Sequence, residues 1–334
     1  MPEDPGSHHP FRWHAFWFAV AIVVVAAGVV AVAIRLPGAS RGSSAVSPSA
    51  SVITAPMSTA ATPSGPSVAP RRLTPEPTTT AMTPRAGCQG GRLPVLRVLQ
   101  FNIRAGISDT GDLDLPEVAA EIEAVRPDLV SLNEVDSDTL RTRIDEPAYL
   151  AATTGLHVVY GPNLLYDGGR FGNAILTRYP VGESHNLRLP GTFGLEPRGL
   201  LTAIVRVDGR RLSFSSTHLS DGSEGLQSRI LQALSVARAL QGMAAPHIVA
   251  GDLNSVPTDL PARILRQHLL DAQEQGGTGV GNTIPEAHPS HRFDYILYDH
   301  NFAVMPGSTR VRASESSDHR AVFTQLTLLP RRNC

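Results

Sequence analysis

Seven stretches between Leu99 and His319 share one pattern, and it limits the fold more than any other feature of the chain. They are Leu99–Asn102, Leu132–Glu134, Gly172–Leu176, Ser216–Leu219, Gly251–Asn254, Phe293–Leu297 and Ser317–His319. In nearly every one, an apolar, β-prone run ends in a carboxylate, an amide or an imidazole. Polar groups brought to one rim by several strand ends are how a rigid sheet builds a site for a hard metal and a phosphate.

The pattern predicts strands over Leu93–Phe101, Asp128–Glu134, Asn173–Thr177, Leu200–Val207, Arg211–Thr217, His247–Ala250, Phe293–Tyr298, Phe302–Met305 and Ala321–Leu328. Leu115, Val118, Ala119, Ile122 and Val125 recur at helical spacing, with Asp114 as N-cap and Pro116 in the first turn. Pro147–Thr154 is a second helix. Ser223–Gln241 is a third, with an apolar stripe expected at Leu226, Ile230, Leu234 and Ala237. The Asp208-Gly209 and Asp299-His300 turns imply antiparallel neighbours. Two mixed sheets packed face to face with helices outside fit this order better than a doubly wound parallel sheet. No internal repeat is visible. Gly276–Pro289 is expected to be a surface loop near the site.

The start of the chain has a different character. Phe16–Ile34 is apolar and uncharged, about the length needed to cross a bilayer. Trp13, Phe16 and Trp17 mark its start. A cleaved signal peptide is the alternative, with Ala31-Val32-Ala33 as a small-residue site. Arg12, Arg35 and Arg41 flank the run on both sides and do not set its orientation. From Pro37 to Pro84 the chain is mostly Ser, Thr, Pro and Ala, too polar to fold and typical of an extracytoplasmic stalk. The expected parts are a short cytoplasmic tail (1–15), a transmembrane signal-anchor (16–34), a disordered Ser/Thr/Pro-rich tether (35–87) and a catalytic domain (88–334). The protein is expected at the cell membrane as a single-pass chain with its domain outside the cytoplasm, or secreted after cleavage.

All basic residues are arginine, and the domain carries 23 of them against 27 acids, a formal charge of −4. That balance argues against tight non-specific nucleic-acid binding. Glu134 ends a run too apolar to take a charge without a partner, which a divalent cation would supply. Asp252 and Asn254 sit two apart near a strand end, placed to hold a water and a phosphate oxygen. His218 and His319 can donate to a phosphate, with Asp294 orienting His319. A carboxylate and amide set without cysteine suits Mg²⁺, or Mn²⁺, over Zn²⁺.

Together these stretches resemble the endonuclease/exonuclease/phosphatase superfamily, which includes deoxyribonuclease-type nucleases, sphingomyelinases and inositol phosphatases. The resemblance runs from about Leu96 to Leu328. Asn102, Glu134, Asn173, Arg198 in Glu-Pro-Arg-Gly, His218, Asp252 with Asn254, Asp294 and the Asp318-His319 pair each fall on a family motif. It implies an α/β four-layer sandwich, α/β/β/α, of two mixed, mostly antiparallel sheets. It also implies metal-dependent cleavage of a phosphate ester by in-line water attack. Glu134, with Asn102 and Asp318, would hold Mg²⁺. Asp252 would position or deprotonate water with Asn254 orienting it, while His218, His319 and Arg198 offset phosphoryl charge. Asn173 would bind substrate. No basic or aromatic cluster of the kind that grips DNA is visible in the sequence. A lipid-like or small phosphate ester is therefore the expected substrate, with an extracytoplasmic nuclease and a non-catalytic surface module as alternatives. No protein partner is inferred.

In that fold the entering and leaving strands lie side by side and antiparallel. Cys88 and Cys334, the only cysteines, bracket the domain. A Cys88–Cys334 disulfide is expected.

Overall fold

Alternation along each strand explains how the sheets are buried. On β1 (Val95–Asn102), Leu96 and Val98 face one way, followed on the same face by Gln100 and Asn102; Leu99 and Phe101 face the other. The inner face of β2 (Leu129–Ser137) runs Leu129, Ser131, Asn133. That of β7 (Arg210–His218) runs Leu212, Phe214, Ser216, His218, and that of β8 (His247–Asp252) runs Ile248, Ala250, Asp252. Each strand is thus apolar at one end of its inner face and polar at the other. Facing strands of this kind stack into a dry core that gives way to a polar rim.

The structure, a computed structural model, describes residues 92–331 apart from 109, 193, 244 and 245. The expected tail, membrane run, tether and both cysteines lie outside them. Among the described residues no helix is long and apolar enough to cross a membrane.

The other strands are β3 (His157–Tyr166), β4 (Gly169–Thr177), β5 (Glu183–Arg188), β6 (Gly199–Val207), β9 (Leu270–Asp271), β10 (Asp294–Tyr298), β11 (Phe302–Val304), β12 (Arg310–Arg312) and β13 (Ala321–Leu328). One sheet has the order β11-β13-β1-β2-β4-β3, with β12 also on β13. The other runs β5-β6-β7-β8-β10-β9. Each contains one parallel pair, β1–β2 and β7–β8, among antiparallel neighbours. The core between the sheets includes Leu96, Val98, Val205, Phe214, Ile248, Ile296 and Leu326. Outside the first sheet lie α1 (Leu115–Val125) and α2 (Glu146–Thr154), with Val118, Ile122 and Leu150 packed on Leu99, Phe101 and Leu132. Outside the second lie α3 (Leu226–Gln241) and α4 (Leu260–Arg266), with Val236, Leu240 and Leu265 on Val249 and Leu297. A short α5 (Ala272–Gly276) follows β9. This is the expected four-layer sandwich. As expected, β1 pairs antiparallel with β13, Val95 opposite Thr327.

Two expectations are corrected, and some strands were missed. The α3 stripe is half right: Ala237 is buried and Ile230 packs on the same cluster, but Leu226 and Leu234 are exposed, while Ser228, Arg229 and Gln232 are buried beside Ala233, Val236 and Leu240. The polar side chains find local partners, because Gln232 accepts from Ser220 N–H and Arg229 donates to the carbonyls of Ser220 and Gly222. The Asp299-His300 turn does not make a hairpin: Tyr298 pairs with Ile248 and Leu270, whereas Phe302 pairs with Leu328 in the other sheet. Strands β3 and β5 were not anticipated, because β3 is largely half-buried and β5 exposed throughout. The Gly276–Pro289 loop does lie by the rim, where Glu286 N–H donates to the Asp318 carbonyl.

Candidate active site

The polar ends of these inner faces meet at one rim. In the β ladders Asn102 lies opposite Asn133, His218 opposite Asp252, and Asp252 opposite Asp294. Glu134 follows Asn133, and strict alternation would turn it toward the helices. Instead the β2–β4 register slips between Leu132 and Val135, and Glu134 takes a left-handed φ of 56°. The bulge aims its carboxylate into the rim, where Asn102 Nδ2 donates to Oε1 at 2.9 Å. Arg104, Ala105 and Asn254 also have positive φ at this rim. Strained backbone of this kind, held by surrounding structure, gathers at working sites.

Asn102 Nδ2 also donates to Asp252 Oδ2 at 3.1 Å, joining the two carboxylates. Asn254 N–H caps Asp252 Oδ1 at 2.8 Å. His319 Nδ1–H donates to Asp294 Oδ2 at 2.8 Å, and its Nε2 stands 3.7 Å from Asp252 Oδ2. The imidazole therefore sits between two carboxylates. Burial opposes its charge, but Asp294 and Asp252 outweigh that and raise its pKa to about 10. Because Nδ1 faces a carboxylate, it keeps its proton in either charge state of the ring. Burial pushes Asp252 up to about 7, against the pull of the His319 cation.

His218 is different. Arg198 Nη1, an obligate donor, points at its Nδ1 from 2.9 Å. Asn254 Nδ2, also a donor, stands 3.0 Å from Nε2, so donors face both ring nitrogens, and Asp252 Oδ2 lies 3.5 Å from Nε2. Complete burial and the Arg198 charge hold its pKa well below the usual histidine value. His218 is thus neutral and His319 a cation. Arg198, itself buried, is held by Glu196 at 2.6 Å and Asp221 at 3.6 Å, and its Nε has no hydrogen-bond partner among the described residues.

The expected residues do not all meet in one way. Asn102, Glu134, Arg198, His218, Asp252, Asn254, Asp294 and His319 form one connected set. Asp318 is adjacent but faces Arg104 Nε at 3.8 Å. Asn173 is fully buried, accepting from Asn133 and donating to the Gly199 carbonyl, so its amide is engaged behind the rim.

Several residues were missed. Gln100 Nε2 donates to Asn133 Oδ1 at 2.7 Å and to Asp294 Oδ1 at 3.1 Å, and Asn133 Oδ1 also accepts from Asp252 N–H. Ser131 and Ser216 bond each other across the sheets at 2.8 Å. Ser317 Oγ donates to the Asn102 carbonyl and accepts from His319 N–H. The signal for Gln100 and Ser216 was available: each stands two residues before a rim residue, on the same strand face.

The oxygen donors at the rim fit a hard divalent cation. Glu134 is a half-buried carboxylate whose one hydrogen bond among the described residues comes from an amide, with none of their cations in ion-pair range. Asp252, Asp294 and His319 have ligand atoms all within 4.8 Å of one another, a second spacing open to a metal.

The family model described as the Endonuclease/Exonuclease/phosphatase family matches residues 99–319. The uncharacterized protein YbhP of Escherichia coli (strain K12) is 26% identical over 245 residues, 70% of this chain and 96% of that protein. A solved endonuclease/exonuclease/phosphatase from Beutenbergia cavernae DSM 12333 superposes with a TM-score of 0.63 at 28% identity, covering 71% of this chain and 72% of that one. A Bacteroides thetaiotaomicron mannosyl-6-phosphatase does so with a TM-score of 0.58 at 20% identity, covering 70% and 99%.

Proposed function

The chain belongs to the endonuclease/exonuclease/phosphatase family, and from that premise we propose that it is a Mg²⁺-dependent hydrolase of a small or lipid-like phosphate ester. The observation that carries this reading is the contact of Asp252 with three different partners: the Asn102–Glu134 pair, neutral His218, and the His319 cation. A buried carboxylate raised to about 7 accepts a proton from water near neutral pH. Asn254 fixes its orientation through Oδ1. His319 and Arg198 would offset charge on the phosphoryl oxygens, with neutral His218 held between Arg198 and Asp252. Asp294 keeps His319 charged and aimed, and Gln100 keeps Asp294 in place.

Glu134, Asn102 and Asp318 would hold the cation, which when bound supplies charge stabilisation at a phosphate oxygen. Small esters are favoured over nucleic acid because Glu134, Glu196, Asp221 and Asp318 stand at the rim beside Arg104 and Arg198. Among similar folds, one protein is named for mannosyl-6-phosphatase activity. Membrane attachment through 16–34, an extracytoplasmic domain and the Cys88–Cys334 bridge belong to the same proposal.

The deciding experiment is hydrolysis across mannose 6-phosphate, sphingomyelin, an inositol phosphate and plasmid DNA, each with and without EDTA. EDTA-sensitive turnover of one of the first three is expected. Undiminished turnover in EDTA overturns the metal, and cleavage of DNA alone overturns the substrate class.

A further inference from the structure

A second charged surface lies at the end of the second sheet away from the rim. There the start of β5, the β6–β7 turn and the end of the described chain enclose an open groove of ≈ 750 Å³. Arg206, Arg210, Arg211 and Arg331 line it with His185, and its one acid, Glu183, is held by Arg211 at 2.9 and 3.1 Å. Among the described residues Arg206 donates to the Gly209 carbonyl and Arg210 to the Leu329 carbonyl. Among the described residues, none of Arg206, Arg210 and Arg331 has an ion-pair partner. Burial and then the neighbouring Arg331 charge push the Arg210 guanidinium down, as expected where like charges are crowded. The sequence hides this cluster because Arg331 is over a hundred residues from the others.

We propose that this groove docks the phosphate headgroups of an anionic lipid surface. The domain is acidic overall, so a lining of four arginines against Glu183, with Asp299 in electrostatic reach of Arg210 and Asp208 in the turn, is a local reversal that fits an anion. Both ends of the described chain leave at this pole. Leu328 N–H bonds the Pro94 carbonyl, and Leu329 bonds both Asn301 and Arg210. The segment that precedes Arg92, with its uncharged apolar run at 16–34, therefore joins the domain on the groove side. Nucleic acid fits less well, because no Phe, Tyr or Trp lines the groove to stack a base. β7 runs from Arg210 in the groove to His218 at the rim, roughly 26 Å at 3.3 Å per residue. Docking therefore turns the rim away from that surface. Within the proposed function, it favours a small soluble ester over a lipid held in that surface.

The test uses the full chain in neutral detergent micelles doped with phosphatidylglycerol or with phosphatidylcholine, read by hydrogen–deuterium exchange. Phosphatidylglycerol should slow exchange in β5 and the β6–β7 turn at least about fivefold, reversibly in high salt. The exposed double substitution Arg206→Ser/Arg331→Ser should abolish that protection, while turnover of a soluble phosphate ester stays unchanged. Equal exchange with both lipids, or protection that survives the double substitution, overturns the proposal. Protection by a single-stranded oligonucleotide but not by phosphatidylglycerol assigns the groove to nucleic acid and overturns it as well.

Discussion

Two buried charge clusters flank the start of β10, two residues apart in sequence, and they are built on opposite principles. Arg292 pairs with Asp271 at 2.6 and 3.3 Å, with Arg266 3.6 Å from the same carboxylate. Its guanidinium lies over the Tyr295 ring at 4.5 Å, and Asp271 caps α5 through Gln273 N–H. Here the carboxylate faces cations that never lose their charge. Asp294 instead faces His319, which reaches on to Asp252. That cation can give up its proton, and the acid beside it is poised to take one. The first cluster fixes a conformation; the second keeps a proton mobile.

Substitutions should separate the two. The largest effect is expected from Arg292→Met, which leaves Asp271 buried and poorly compensated at a cost of about 3–5 kcal/mol. Urea unfolding should show it, and an unchanged midpoint would put the first cluster on the same footing as the second. Asp252→Ala should lower turnover at least about a hundredfold, equivalent to roughly 2.7 kcal/mol, with no loss in melting temperature. A variant that melts early yet turns over normally would reverse the contrast. Glu134→Gln should raise the Mg²⁺ needed for half activity by about tenfold or more; an identical metal titration would remove Glu134 from the metal set.

The smallest effect is in pH dependence. Turnover should rise through about 7 as Asp252 ionises and fall through about 10 as His319 loses its proton. Both folded pKa values lie above the ordinary 3.8 and 6.5. Their contribution to stability is therefore complete below those ordinary values and is lost as pH rises through about 7 and then about 10. Activity and stability should move in opposite directions as Asp252 titrates. Asp252→Asn should flatten the stability curve there, and an unaltered curve would break the assignment.

The rim was legible because strand alternation and terminal polar residues are both local properties of a sequence. Gln100 and Asn133 were within the quoted stretches, yet their role depends on which strands become neighbours. Glu134 was found as a residue, but the bulge that aims it was not, since a reversed φ at a glutamate leaves no mark in composition. The α3 stripe held at Ile230 and Ala237 but failed at Leu226 and Leu234, because the buried face is turned by the carbonyls of Ser220 and Gly222, which lie outside the helix. The sheet crossing at Asp299 failed for a related reason: a turn signal states that the chain reverses, not which strand it meets next.

The pairing of β1 with β13 also has a consequence for the order of events during synthesis. Among the described strands, β1 is the first to leave the ribosome and β13 the last. β11 and β12 hydrogen-bond to β13, so neither has a place in the sheet before it arrives. Until then β1 presents an open edge, and the first sheet waits through the whole translation of the second. Loss of the strand from Ala321 onward would unseat three strands together, so a nascent or truncated chain should be a substrate for chaperones and proteases rather than a weakened enzyme.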